Sequence, residues 1–207
     1  MVRKTKQSAE QTRNQILDAA ERVFHAQGVS YTSLDDVAKA AGVTRGAIYW
    51  HFENKAALFN AMHERITLPF MNVFEPLLNS ARPLQELQAL CVNGLKELEI
   101  NEQRRRVFDV LMHRCEYVDA IPCAAHRMSV WHETITQGVA SVLRYAQSLG
   151  QLSKTIDPHL TAFGLHSYMH GLIGCRLSTV DSPSFQDSAD VLVQRFFAGL
   201  SAESSAA

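Results

Sequence analysis

His166 and His170 stand four positions apart, a spacing that puts two imidazoles on one helical face and that metal sites use. Asp109, His113 and Glu116 form a second group, two carboxylates and an imidazole of the kind that move protons. Neither group is complete. The histidine pair has no third ligand nearby in sequence, and a serine nucleophile elbow, a Gly-rich phosphate loop and a CxxC pair are all absent. Cys91, Cys115, Cys123 and Cys175 are scattered singly, which suggests neither a disulfide framework nor a zinc site. They are expected as reduced thiols, mostly packed as small hydrophobes. No catalytic residue, metal or cofactor is assigned from these groups. The bland reading of the histidines is packing or hydrogen bonding inside a helical bundle, and an all-α enzyme or metal-binding protein stays open as an alternative.

A third group carries a different chemistry. Thr44, Arg45 and Gly46 open a short stretch that continues through Tyr49, Trp50 and His51, and small and cationic residues at a helix start suit close approach to base edges. The elements that must position them are written in TSLDDVAKAAGVTRGAIYWHFENK, residues 32–55. Ser33 with Asp36 three residues on is a capping-box-like start, after which Leu34, Val37, Ala38 and Ala41 recur at helical spacing. Gly42 can supply the positive φ that stops this helix, and Thr44 can cap the next. Helix, tight Gly turn, helix is a helix-turn-helix pattern. Ile48, the one large aliphatic residue of the second helix, is the expected anchor. Gly46 and Trp50 then lie opposite it, with Ala47 and Tyr49 on the flanks. Tyr49 and His51 can reach phosphate oxygens. Lys55, beside the helix cap Asn54, sets a cation at a positive dipole end, which makes sense if a phosphate sits there.

Over 207 residues the formal charge is −1, so the chain as a whole has no attraction for nucleic acid and any such binding must rest on local asymmetry. The first thirteen residues provide it, with Arg3, Lys4, Lys6 and Arg13 against Glu10 alone. Alone, such an arm reads as a solvated terminus; next to a helix-turn-helix it reads as a DNA contact. With 46% hydrophobic residues the chain has ample core-forming material. No apolar signal core and no run near the roughly 20 residues of a membrane span is present, so a soluble, cytoplasmic protein without a membrane partner is expected.

Further elements follow from periodicity and caps. A first helix is expected over Ser8 to Gln27 on the stripe Ile16, Leu17, Ala20, Val23 and Phe24, ended by Gly28. A linking helix starts near Asn54, carries Leu58, Met62 and Ile66 on one face, and continues past a kink at Pro69 to about Leu78. Helices then follow over Pro83 to Ile100, Glu102 to Val118, Pro122 to Leu149, Asp157 to Leu177 and Ser184 to Leu200. That makes nine helices, no sheet, and a tail SAESSAA without fixed structure. The last two helices carry more apolar surface than a small bundle hides on one side, and Gly164, Gly171 and Gly174 would admit either internal packing or a second copy.

The run VTRGAIYWHFENK closely resembles the TetR family signature, and VRKTKQSAEQTRNQILDAAERVFHAQGVSYTSL resembles the opening of that family's drug-efflux regulators. The resemblance is strong over residues 1–60 and thinner to about residue 200. It implies an all-α, nine-helix fold with a three-helix helix-turn-helix domain over residues 1–54 and a ligand-binding and dimerisation domain over 55–207. DNA contacts fall on Lys4, Thr5, Lys6, Ser33, Thr44, Arg45, Gly46, Tyr49, Trp50, His51 and Lys55. RRRVFDVLMHRCEYVD, residues 104–119, resembles a pocket segment of the same regulators, with Asp109 and Arg114 as departures. By this match and the GLIG at 171–174, the pocket wall takes Phe108, Leu111, Met112, His166, Met169 and His170. Ile66, Thr67 and Phe70 join from the linking helix, Cys91 and Gly94 from the next, and Ile135, Gly138 and Val139 from the long helix.

The partners so implied are double-stranded palindromic operator DNA, a hydrophobic small-molecule inducer, and a second copy through the last two helices. The function implied is repression of a multidrug efflux operon, relieved by the inducer. A regulator that senses a metabolite and controls unrelated genes is the alternative.

Overall fold

The computed structural model describes the backbone of residues 2–115, 122–179 and 181–205, and side chains over 6–67, 72–115, 128–179 and 181–200. Nine α-helices account for these residues, with no strand among them: α1 Val2–Gln27, α2 Leu34–Ala41, α3 Arg45–His51, α4 Lys55–Met71, α5 Pro83–Ile100, α6 Glu102–Asp109, α7 Pro122–Ser148, α8 Pro158–Ser178 and α9 Phe185–Ser205. A 3-10 turn, Pro76–Asn79, precedes α5, and a π-helical turn, Val110–Arg114, extends α6. No helix among the described residues is long and apolar enough to cross a membrane.

The chain forms two compact units, one of residues 1–67 with 103–127, the other of 68–102 with 128–207. In the first, Ile16, Leu17, Ala20 and Phe24 of α1 are buried with Val37, Ala38 and Ala41 of α2, Ile48 of α3, and Leu58 and Met62 of α4. Each large aliphatic or aromatic side chain so removed from water stabilises the unit by about 1.5–3 kcal/mol. Phe24 meets Phe59 edge-on at 6.3 Å. The buried Glu21 accepts from Gln103 of α6 at 3.0 Å and from Arg65 of α4 at 3.3 Å. Burial pushes its carboxyl up from the usual range, against these hydrogen bonds and charges.

In the second unit Leu87, Leu95 and Leu98 of α5 are buried with Leu143 and Ala146 of α7, Leu165 of α8, and Ala189, Val193 and Phe197 of α9. A polar clamp joins three helices. Arg176 of α8 donates to Glu99 Oε1 of α5 at 2.8 and 2.6 Å, while Ser184 Oγ and the Gln186 N–H at the start of α9 donate to Oε2 at 2.9 Å each.

Local caps stand where the sequence placed them. Ser33 and Asp36 close a reciprocal capping box, Gly42 ends α2 at φ +66°, and Thr44 accepts from the Ala47 N–H at 3.2 Å. Asn54 Oδ1 accepts from the Ala57 N–H at 2.8 Å, and Asp157 accepts from the His159 and Leu160 N–H groups.

Four expectations need correction. The backbone is helical from Val2, not from Ser8, so the basic residues belong to α1 rather than to an irregular arm. α4 ends at Met71 instead of reaching Leu78, two residues after a proline that removes a helical hydrogen bond, and the chain re-forms only a 3-10 turn. α6 ends at Asp109 and its π turn at Arg114, short of Val118; Glu116 and Val118 lie outside the described residues. The tail is helical through Ser205, because α9 continues past Leu200.

Candidate nucleic-acid interface and ligand-binding positions

α3 is held by one buried anchor, with Arg45, Gly46, Tyr49 and Trp50 exposed and Ala47 and His51 half-buried. Ile48 is fully buried, as its position as the lone large aliphatic residue requires, while Trp50 is 72% and Tyr49 47% exposed. A Cβ on Gly46 would meet only Thr44 Oγ1 at 3.8 Å, so this face is open to a close approach. Arg45 donates to Asp35 Oδ2 and to Tyr49 Oη, both at 3.2 Å, and lies 5.5 Å from the Tyr49 ring centroid. The hydrogen bond to Tyr49, with the charge of Asp35, raises its pKa further and leaves it a permanent cation. Held at the helix start, the guanidinium has the planar fork that recognises an acceptor pair on a base edge.

Trp50 meets His51 edge-on at 4.5 Å, and burial, with the nearby Arg13, lowers the His51 pKa so that the ring is neutral at pH 7. Arg13 stands over the Phe52 ring at 5.2 Å, which places one cation of α1 beside α3. Lys6 is exposed; the side chains of Lys4 and Thr5 lie outside the described residues. Ser33 is occupied by its capping box, with its hydroxyl donating to Asp36 Oδ2 at 2.6 Å.

Lys55 has a partner that its neighbours in sequence do not announce. Its Nζ donates to the carbonyls of Val29, Ser30 and Thr32 at 2.9, 3.1 and 2.9 Å. An ammonium has three donors, and here all three are used. The cation at the start of α4 is therefore engaged by the loop between α1 and α2.

The positions expected to bind ligand fall partly in the first unit and partly in the second. In the first, Ile66, Thr67 and Leu111 are buried, Phe108 and Met112 are half-buried, and the Thr67 hydroxyl is taken by the His63 carbonyl at 2.9 Å. Phe70 has its side chain outside the described residues. In the second, Cys91, Ile135, Met169 and His166 are half-buried, His170 is exposed and Val139 is buried. Burial pushes the Cys91 thiol up to about 12, so it behaves as an unreactive apolar group. A Cβ on Gly94 meets nothing within 4 Å, whereas one on Gly138 would lie 2.4 Å from the Phe74 ring. Gly138 thus gives the Phe74 ring room to pack against α7. Among the described residues no group of three His, Cys, Asp or Glu side chains is arranged to hold a metal ion.

Residues 16–62 match the model of bacterial regulatory proteins of the tetR family, and residues 82–201 match that of the MAATS-type transcriptional repressor C-terminal region. The chain belongs to the TetR family. Similar proteins within it include the transcriptional regulator TtgR of Pseudomonas putida, 38% identical over a 190-residue alignment, with 88% of each chain covered. The structure of NalD, the secondary repressor of the MexAB-OprM multidrug efflux pump in Pseudomonas aeruginosa, superposes with a TM-score of 0.85 at 35% identity, covering 93% of this chain and 98% of that one. SmeT in complex with triclosan gives 0.83 at 30% identity, covering 91% and 90%.

Sequence reasoning missed three features of this TetR-family chain. Asp109 Oδ2 lies 3.2 Å from His25 Nε2 of α1 and its Oδ1 2.9 Å from His113 Nδ1, and Val29 N–H donates to the Arg114 carbonyl at 3.1 Å, so α6 is tied to the C-terminal end of α1. Phe74 covers Gly138. His132 of α7 joins His166 and His170, at ring separations of 4.9 and 5.6 Å. Only the helical face shared by His132, Ile135 and Val139 could have pointed to the last of these.

Proposed function

We propose that this protein is a ligand-responsive transcriptional repressor that binds a palindromic operator as a dimer, controls a multidrug efflux operon and leaves DNA when a hydrophobic, drug-like compound binds. Residues 1–54 make the DNA contacts and residues 55–207 take the ligand and the second copy. The observation that carries this reading is the open face of α3, where Thr44, Arg45 and Gly46 start the helix beside the exposed Tyr49 and Trp50. A rigid, capped recognition helix with its apolar side buried can enter a major groove without reorganising. NalD as a repressor of an efflux pump, and SmeT holding triclosan, support the regulated gene class and the ligand class.

The dimer reading rests on α8 and α9. Leu160 is 68% exposed, Phe163 58% and Val191 50%, and on α8 the exposed Leu160, Phe163, Ser167, Gly171 and Cys175 follow one another at helical spacing. Large apolar residues in such a stripe call for a covering surface, and a two-fold pair covers both copies at once while setting two recognition helices about 34–36 Å apart, or a multiple of it. Phe196 is half-buried within the protomer, stacked on Tyr168 at 5.7 Å.

Footprinting on the DNA upstream of the protein's own gene, with and without triclosan, tests the reading. A protected palindrome whose affinity falls steeply with salt and is lost with ligand is the expected outcome. Absence of any salt-dependent protection removes the DNA-binding reading.

A further inference from the structure

His132, His166 and His170 converge from two helices. Their ring centroids are 4.9 Å apart for His132 and His166, 5.6 Å for His132 and His170, and 6.2 Å for His166 and His170. His166 Nε2 is buried and has no hydrogen-bond partner among the described residues. Buried polar atoms in folded proteins are nearly always paired, so an orphan of this kind leaves a donor or acceptor open to a further polar atom. Each imidazole can both donate and accept, yet among the described residues no carboxylate bridges these three, in contrast to Asp109 between His25 and His113. Ile135 and Val139 continue the face of α7 that bears His132, and Met169 lies beside His166 and His170 on α8, so the polar cluster adjoins apolar side chains.

The charge state of the cluster follows from its surroundings. Burial, then His132 and His170, push the His166 imidazole down to about 4, and burial with His170 lowers His132. Among the described residues, the groups acting on His166 are thus His132 from α7 and His170 from its own helix, and that acting on His132 is His170. A neutral imidazole set among apolar side chains gains a proton when an anion arrives, because the anion favours the charged ring that burial had disfavoured.

We infer that this three-histidine cluster is the head-group subsite for a hydrophobic weak acid, whose carboxylate binds His166 and its neighbours with uptake of a proton. The inference rests on the ligand-responsive reading above and narrows it to acidic amphipathic compounds. The sign is defined: a ring whose pKa is raised by the bound anion makes binding tighter as pH falls, until the unliganded ring itself begins to protonate. One linked proton gives up to about tenfold in affinity per pH unit.

Calorimetry of the full-length protein with 2-naphthoate, in buffers of different ionisation enthalpy, counts the proton directly, with 2-naphthamide as the neutral counterpart. Between pH 8 and pH 6 naphthoate should bind at least about tenfold more tightly at the lower pH with net proton uptake, and naphthamide should show neither effect. His166→Gln should abolish the uptake. His132→Gln, at a less buried ring, should reduce it while thermal melting confirms a folded protein. Naphthoate binding without proton uptake, or uptake unchanged in both variants, overturns the inference and leaves the repressor reading in place. Failure of naphthoate to bind also overturns it, and footprinting with triclosan then decides the broader reading on its own.

Discussion

The ammonium of Lys55 donates to the carbonyl of Val29 across 26 residues of chain, at 2.9 Å. With the Ser30 and Thr32 carbonyls it ties the start of α4 to the loop that leads into α2. A charge-assisted hydrogen bond contributes more than a neutral one, and removing the donor leaves three carbonyls to find water. Lys55→Ala should lower the unfolding free energy by about 1–3 kcal/mol. Since all three donors are used internally, the dependence of operator affinity on salt should keep its slope. Urea denaturation read against binding titrations at several salt concentrations checks both; an unchanged urea midpoint with a flatter salt slope would restore the phosphate contact.

Arg45 and Lys6 should separate the two kinds of DNA contact. Arg45→Ala is expected to relax preference at one base pair by about 1–3 kcal/mol, whereas Lys6→Ala should weaken all sequences alike and reduce the salt slope by about 1. Competition titrations with singly substituted operators provide the measurement. Equal losses on every operator for Arg45→Ala would move it to the phosphate class.

The proposed dimer surface is best probed where nothing is lost within the protomer. Phe163→Glu changes an exposed side chain, so it should yield folded monomers in sedimentation with operator binding lost. Phe196→Glu would also break the stack on Tyr168, and so confounds dimerisation with stability. An intact dimer for Phe163→Glu rules out this interface.

Gly94 and Gly138 predict opposite outcomes. A side chain at Gly94 enters open space, so Gly94→Phe should fold, keep operator binding and block the inducer. Gly138→Ala sets a methyl 2.4 Å from the Phe74 ring, and displacing that ring should cost about 1–3 kcal/mol of stability. Thermal melts paired with triclosan titrations distinguish the two, and a Gly94→Phe protein that still releases DNA with triclosan places the ligand elsewhere.

Glu99 sets the acid sensitivity of the second unit. Burial works against its charge, but Arg176, the Gln186 N–H and Ser184 outweigh it and hold the carboxyl below its usual 4.5. A carboxylate with a depressed folded pKa contributes stability that is present above the unfolded value and lost as pH falls through the folded one. The wild type should therefore lose stability below pH 4.5 more steeply than Glu99→Gln, which should be less stable than wild type at pH 7. Parallel pH profiles of the urea midpoint for the two proteins would count against the clamp.

What could be read from residues alone was local. Ser33 with Asp36, Gly42, Thr44, Asn54 and Asp157 each act on backbone within four residues, so the helix boundaries around the recognition helix follow from nearest-neighbour chemistry. Ile48, the one large aliphatic side chain of α3, is its buried side, while the larger Trp50 stays exposed. Tertiary structure decided everything whose partner is distant in sequence. Lys55 finds carbonyls 23 to 26 residues back, Asp109 meets His25, Phe74 fills the notch at Gly138, and His132 completes a cluster with two histidines of another helix. Helical periodicity says which face a residue occupies, but not which helix lies against that face. The pairing depends on how several amphipathic helices bury their apolar stripes together, and that balance is struck only in the folded chain.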